Sequence, residues 1–214
     1  MITPSSLKFI KLKDYQKYCL IENPSNDDLL KSLLSTSDYE LSKMKSIEVD
    51  KIIEGFKDIF DIEHKFVPEF SIYGTTYGFI PKLDDITYGE NKDITSYIND
   101  WGNMHKAMAV MFRPVKKKLG SQYIIEDYEG SHVYSEVMKD MPLNVVMGAM
   151  VFFYNLTNEL LNYIPNYLKE QLESLPQHKV DSIKNGVLTA NYSALVKEAL
   201  QNLKKLQSFP YINA

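Results

Sequence analysis

Five acidic side chains lie between residues 84 and 100, and carboxylates at this density are what a hard cation such as Ca²⁺ or Mg²⁺ requires. They are Asp84, Asp85, Glu90, Asp93 and Asp100. Their spacing lacks the Asp-x-Asp-x-Asp-Gly run of a calcium-binding loop. Acidic residues are also typical of helix starts, where they cap backbone amides and suit the positive end of the helix dipole. The sequence therefore predicts capping roles, and a small metal-binding regulator or enzyme stays open as an alternative.

The other residue types that carry catalysis are scattered along the chain. The histidines show no metal-ligand spacing, and Cys19 lies in no local nucleophile pattern; the histidines are His64, His105, His132 and His178. The glycine-rich phosphate loops and the Gly-x-Ser-x-Gly elbow are absent from the sequence. We therefore predict a protein that is not an enzyme and that needs no cofactor and no metal.

Arg113 is the single arginine among 24 basic residues, and the formal net charge is −4. A nucleic-acid-binding protein gains affinity from a basic face and commonly reads phosphates and guanine through arginine, so nucleic acid is an unlikely partner. A lone arginine before a proline favours a planar structural role. We expect Arg113 to cap helix carbonyls or to pair with an acid such as Asp84 or Asp100.

Methionine is concentrated in the middle of the chain, where seven of the nine lie between residues 104 and 150. Methionine fills irregular cores and also adaptable protein interfaces, and both interpretations stay open here. The apolar C-terminal tail, with Tyr211, is typical of a segment that docks on its own domain or on a neighbour. The candidate interface or structural residues are therefore Trp101, Met104, Met108, Met111, Phe112, Arg113 and Tyr211.

The elements that position these residues are mostly helical. We predict a short strand leading into a helix before residue 25, a helix capped by Asn26, and an amphipathic helix over residues 40–61. A β-hairpin is expected around Gly74 and Thr75. The pattern Thr-x-x-Glu at Thr87 predicts a capped helix, and a second helix follows from Trp101 to Phe112.

The remainder of the chain adds one strand and three helices to this expectation. "VKKKLG", residues 115–120, is interpreted as a solvated turn, and "QYIIEDYEG" as a strand. A short helix near residues 133–139, a long one from Pro142 to about Tyr163 and an amphipathic one over residues 192–206 complete the chain. The run Val145–Leu156 has 12 residues, whereas a membrane span needs about 20, so no membrane span is expected.

Together these elements predict an α+β fold, predominantly α-helical, with helices flanking a small antiparallel β element. Three segments are distinguished: an N-terminal helical segment (1–62), a small α+β centre (63–141) and a C-terminal helical segment (142–214). We expect them to form one compact unit.

Four stretches of the chain resemble small proteins of tailed bacteriophages, particularly crAss-like and related phages of Bacteroidota. They are "LKDYQKY" from Leu12, "FIPKLDDITYGE" from Phe79, "NMHKAMAVMFRPV" from Asn103 and "MPLNVVMGAMVFFYNLTNELL" from Met141. The resemblance covers residues 12 to 161. It implies a virion or tail-morphogenesis component and no catalytic residues.

The resemblance and the interface-like composition lead to two hypotheses. The first is a non-enzymatic structural component of the virion: a capsid–tail connector, a tail protein or an internal cargo protein. It would bind other phage structural proteins, with possible homo-oligomerisation. The alternative is a tail assembly chaperone that stays in the host cytoplasm and is released before maturation.

Overall fold

The computed structural model describes residues 6–156, apart from the side chain of Asp84. The chain divides into two compact units, Met1–Ala149 and Met150–Ala214. Of the second unit, only residues 150–156 are described, and they are helical. The helix predicted over residues 192–206 and the candidate residue Tyr211 lie outside the described residues. The predicted fold class is confirmed, since helices dominate and flank a small antiparallel sheet.

From residue 6 to residue 60, the regular elements of the first unit are all helical. A 3-10 turn at Leu7–Phe9 is followed by α1 (Leu12–Cys19), α2 (Asn26–Leu34), α3 (Asp38–Lys43) and α4 (Ser46–Phe60). The short strand predicted ahead of the first helix does not form within residues 6–25. The cap of α2 is Ser25, which accepts from the backbone of Asp28, so Asn26 is the first helical residue rather than the cap. The helix predicted over residues 40–61 is divided, because Met44 and Lys45 adopt extended backbone conformations.

A four-stranded antiparallel meander forms the sheet, in the order β1 (Glu69–Ile72), β2 (Thr75–Phe79), β3 (Phe112–Leu119) and β4 (Gln122–Ile125). The predicted first hairpin is confirmed, with Ile72 opposite Thr75. Its two loop residues, Tyr73 and Gly74, have φ values of 51° and 82°. Two positive φ values are required by the tight turn whose twist matches the strands.

The prediction for residues 112–119 was wrong, because they form strand β3 rather than a helix end and a solvated turn. α6 spans Met104–Met111 only, and β3 begins at Phe112. Pro114 lies opposite Tyr77 inside the sheet. Its missing N–H does not end the strand, since its carbonyl accepts from the Glu126 backbone at 2.9 Å.

Short helices lie between and after the strands. They are a 3-10 turn at Leu83–Asp85, α5 (Tyr88–Tyr97), a 3-10 turn at Trp101–Asn103 before α6, a 3-10 turn at Ser131–Val133 and α7 (Ser135–Met138). The predicted Thr87–Glu90 capping box is present at the start of α5. Asp100 caps the 3-10 turn and not a regular helix, since its carboxylate accepts from the Gly102 backbone at 2.8 Å.

The core of the first unit lies around α6, which contacts α1, α5, α7 and β3. An eighth helix, α8, begins at residue 143 after Pro142 and is described to residue 156. Backbone hydrogen bonds tie its start to the N-terminal segment: Leu143 donates to Ile10 at 2.8 Å and Leu12 donates to Met141 at 2.9 Å. The fully buried side chains include Met104, Met108, Met111, Met138, Met141 and Leu143.

Candidate functional site

The structure places the candidate apolar residues in the interior of the first unit. Met104, Met108, Met111 and Phe112 are 0% exposed and Trp101 is 7% exposed. These side chains therefore pack the core and do not present a surface to a partner.

Arg113 is also buried, and the acid that it pairs with is Glu90, whereas Asp100 caps its own 3-10 turn. The guanidinium Nη1 lies 2.5 Å from the Glu90 carboxylate, and both side chains are less than a tenth exposed. The other Glu90 oxygen accepts from the Thr87 backbone at 2.6 Å. Burial raises the pKa of Glu90, but the Thr87 hydrogen bonds and Arg113 outweigh it and leave that pKa below its usual value. The pair joins α5 to β3.

Tyr128 extends this buried pair toward the loop after β4. The Arg113 guanidinium lies 5.6 Å from the centre of the Tyr128 ring, a distance typical of a cation–π contact. The Tyr128 hydroxyl donates to Asp93. Burial, followed by the neighbouring Asp93 carboxylate, raises the pKa of Tyr128. One charged network thus connects α5, β3 and the loop after β4.

Three of the acidic side chains that suggested a cation site have partners of their own within the fold. Glu90 binds Arg113, Asp93 accepts from Tyr128, and Asp100 caps its 3-10 turn. Within residues 6–156, no group of three or more His, Cys, Asp or Glu residues is placed to hold a metal ion.

His105 takes part in a second buried polar contact that the sequence does not reveal. The Gln16 side-chain nitrogen lies 3.1 Å from His105 Nδ1, and the same nitrogen donates to the carbonyls of Trp101 and Gly102. The Gln16 nitrogen has two hydrogens, which are shared among these three acceptors. Burial, and then the charges of Lys139 and Lys106, lower the pKa of His105. A neutral imidazole is what accepts from Gln16.

Asp140 is the third polar centre, and it holds three separate parts of the first unit together. Its carboxylate lies 2.9 Å from the ammonium groups of both Lys11 and Lys13. It also accepts from the Tyr73 hydroxyl, at the tip of the first hairpin, at 2.6 Å. The Tyr73 hydrogen bond, followed by those from the lysines, lowers the pKa of Asp140 well below its usual value.

The polar groups described above hold elements in place, whereas two exposed apolar side chains lie on the β3–β4 hairpin. Leu119 is 79% exposed and Ile124 is 61% exposed. The pairing of Lys117 with Ile124 and of Leu119 with Gln122 places these four side chains on one face. They border a concavity of about 710 Å³ that Pro81 and Lys82 also line. We call this area the hairpin surface, defined by Pro81, Lys82, Lys117, Leu119, Gln122 and Ile124.

The opposite face of the same hairpin is anchored to the sheet. The Tyr123 hydroxyl donates to the Phe79 carbonyl at 2.9 Å. Its ring lies over Gly78, where a Cβ would meet the ring at 2.5 Å. Ile125 is buried. This anchoring lets Leu119 and Ile124 remain exposed on a hairpin that is itself fixed.

The hairpin surface was not predicted from the sequence, because the lysine run in strand β3 is more typical of a solvated turn than of a strand. The available signal was the sequence "LGSQYII", in which Gly120 and Ser121 separate two apolar strand ends. Gly120 has a φ of 62° and closes that turn.

No protein-family model, curated protein or solved structure matches this chain. Across residues 6–156, none of the helices combines the length and apolar character needed to cross a bilayer.

Proposed function

We propose that this chain is a non-enzymatic structural component of a tailed-phage virion that acts by binding other phage structural proteins. The observation that carries the proposal is the hairpin surface, where Leu119 and Ile124 are exposed beside a concavity. Large apolar side chains that share one exposed face are typical of protein-binding sites. The resemblance of the four sequence stretches supports the assignment to a phage particle.

The arrangement of the interior is compatible with this role. The Glu90–Arg113 pair and the Asp140 centre each join elements that are distant in sequence. Such links hold the sheet and its hairpin in one orientation against the helices. A fixed surface loses less conformational entropy on binding than a mobile one, which favours a permanent contact within a particle.

The experiment that tests the proposal is quantitative mass spectrometry of purified particles beside the infected-cell lysate. We expect the chain at a fixed ratio to the major capsid protein. Abundance in the lysate with absence from particles would refute the virion role and would support an assembly chaperone in the host cytoplasm. The copy number would distinguish a ring component from loosely packed cargo.

Two variants test whether the chain needs the hairpin surface to be incorporated into particles. Ile124→Thr keeps a β-branched residue but removes apolar surface, and we expect it to reduce the number of copies per particle. Ile47→Thr is the matched control, since Ile47 is 64% exposed but lies on α4. Equal incorporation of both variants would show that the hairpin surface does not carry the contact.

A further inference from the structure

The two outer strands of the sheet differ in how they are protected against pairing with another chain. Folded proteins guard such edges with charged residues, proline or covering segments. β1 begins at Glu69 directly after Pro68. β4 (Gln122–Ile125) contains neither a charged residue nor a proline, and no further strand lies beyond it among residues 6–156. β4 is therefore the unguarded edge of the sheet.

The register shows which backbone groups of β4 point outward. The loop between β3 and β4 has two residues, so Leu119 and Gln122 are the hydrogen-bonded closing pair. Pairs alternate along an antiparallel ladder, so the next pair, Lys118 with Tyr123, is not hydrogen-bonded internally. The N–H and C=O of Tyr123 therefore face away from β3, where they are one donor and one acceptor for an additional strand.

The same alternation decides how two copies of β4 can meet. The N–H and C=O of Ile125 also face away from β3, since the next N–H, that of Glu126, donates to Pro114 on β3 at 2.9 Å. A second copy that pairs antiparallel about a two-fold axis can therefore set its own Tyr123 or its own Ile125 opposite Tyr123. The two Ile124 side chains then lie diagonally across the pair or directly opposite each other, on one face of the joined sheet. Since Ile124 is 61% exposed, both registers bring two exposed apolar side chains together.

The charge along this edge changes sign from one end to the other. Glu126, Asp127 and Glu129 follow β4 directly, with Lys116 beside them. The hairpin end carries Lys117, which forms no ion pair in the part of the chain that the structure describes. Antiparallel pairing lays the acidic end of each copy beside the hairpin end of the other, whereas parallel pairing would set like charges side by side.

We propose that β4 pairs antiparallel with β4 of a second copy of this chain about a two-fold axis, so that the two four-stranded sheets become one continuous sheet. The outward groups of Tyr123 form hydrogen bonds across the pair, and Ile124 packs against Ile124 of the other copy. The concavity bordered by Leu119 and Ile124 leaves room for side chains of that copy. This inference deepens the proposed function by naming a partner for the hairpin surface, and it rests on that proposal only for the setting in a phage particle.

The edge matches itself, and this selects a second copy as the occupant. A two-fold interface uses the same surface twice, so each of its features must meet its complement in the identical surface. Here the donor and acceptor of Tyr123 meet an acceptor and a donor, the exposed Ile124 meets an exposed Ile124, and the acidic end meets the hairpin end. Nucleic acid would instead meet the carboxylates that follow β4, and it would leave the outward backbone groups without a strand to pair with.

The test is sedimentation equilibrium of the full chain over a series of concentrations. A contact between two four-residue strands is small for a protein interface, so we expect a reversible dimer with a micromolar dissociation constant. Ile124→Thr should raise that constant by about tenfold, because apolar contact is lost in both copies.

Charge exchange at the axis tests the two-fold geometry. Ile124→Lys and Ile124→Glu should each abolish the dimer, because each variant sets two like charges beside one another. An equimolar mixture of the two variants should dimerise again, because position 124 then meets the opposite charge. A mixture can recover only if position 124 of one copy lies near position 124 of the other.

Matched controls separate the β4 edge from general effects of the substitutions. Ile47→Lys and Ile47→Glu make the same changes on α4, where Ile47 is 64% exposed, and should leave the dissociation constant unchanged. Circular dichroism should show that the Ile124 variants remain folded, since that side chain is exposed. In ¹⁵N spectra, the Tyr123 amide should exchange its hydrogen more slowly in the concentrated wild type than in Ile124→Lys.

Four results would overturn the proposal: a wild type that is monomeric at about 1 mM, a dimer that survives Ile124→Lys, a mixture of Ile124→Lys with Ile124→Glu that stays monomeric, or equal exchange of the Tyr123 amide in the wild type and Ile124→Lys. A monomeric wild type whose Tyr123 amide is protected by the major capsid protein would identify another phage protein as the occupant, and protection by a single-stranded oligonucleotide would identify nucleic acid. A dimer that is absent from particles would refute only the virion role, whereas a monomer present in particles at a fixed ratio would refute only the dimer.

Discussion

Gly148 lies on α8 where the helix meets the backbone of Lys65 and Phe66, so Gly148→Ala tests how closely these segments approach. An ideal Cβ at Gly148 would lie 3.0 Å from the Lys65 carbonyl carbon, 3.2 Å from Phe66 Cα and nearer still to the Lys65 carbonyl oxygen. Ordinary contact begins at 3.4 Å. Since the opposing atoms are backbone, relief requires one whole segment to move.

The magnitude follows from two opposing effects. Alanine favours a helix interior over glycine by about 1 kcal/mol, whereas overpacking a well-filled interior costs about 1–3 kcal/mol. Backbone against backbone leaves little room for adjustment, so we take the upper end of that cost. Gly148→Ala should therefore lower the free energy of unfolding by about 2 kcal/mol, which for a chain of this size lowers the Tm by about 4–8 °C.

The assay is urea unfolding followed by the fluorescence of Trp101, the single tryptophan, which is buried in the first unit. Gly89→Ala on α5 is the matched control, since its nearest neighbouring atom would lie 3.7 Å from the new Cβ. That variant should be neutral or more stable by up to about 1 kcal/mol. If Gly148→Ala were as stable as Gly89→Ala, the close approach of α8 to Lys65 would be refuted.

Three further predictions concern the polar contacts of Arg113, His105 and Asp140 and use the same fluorescence assay. Arg113→Met leaves the Glu90 carboxylate buried without its ion-pair partner and should lower the free energy of unfolding by about 3–5 kcal/mol. Adding Glu90→Gln to this variant should recover part of the loss. If the double variant instead lost the sum of the two single losses, the pairing would be contradicted. Burial holds the His105 pKa below its usual 6.5, so the folded state resists protonation of the imidazole and the free energy of unfolding should fall as the pH drops below about 6.5. His105→Gln should reduce this loss of stability at low pH. If the variant and the wild type lost stability equally, His105 would not be the group responsible. The pKa of Asp140 is depressed below its usual 3.8, so its contribution to the free energy of unfolding is complete above pH 3.8 and is lost as acid protonates the carboxylate. Asp140→Asn should therefore be less stable than the wild type near neutral pH, and the difference in the free energy of unfolding should narrow on acidification. A difference that does not change with pH would contradict this.

Local patterns were predicted well from the sequence, because the groups involved lie close together along the chain. The Thr87–Glu90 capping box and the first hairpin at Gly74 both depend on residues within a few positions of one another. The division at Met44 and Lys45 was not predicted. The capping box of Ser37 and Glu40 starts a separate short helix there, and a continuous apolar stripe conceals such a break.

Strand β3 was mispredicted for a different reason. Its lysine run resembles a solvated turn when read alone, and its identity as a strand comes from pairing with β2 on one side and β4 on the other. Arg113 pairs with an acid, as one of the two expectations had it, but that acid is Glu90. The sequence did not identify Glu90, because the contact depends on how strand β3 packs against α5.

The amino-acid sequence by itself determined the α+β class, the helix starts and the tight turn at Gly74, since these follow from propensity, capping and backbone sterics over a few residues. Only the tertiary structure decided which side chains meet across long separations: Gln16 with His105, 89 positions apart, and Tyr73 with Asp140, 67 positions apart. It also decided that the methionines near Trp101 are buried while Leu119 and Ile124 remain exposed. Burial depends on how every element packs against the others, and this arrangement cannot be inferred from the residues of one short stretch.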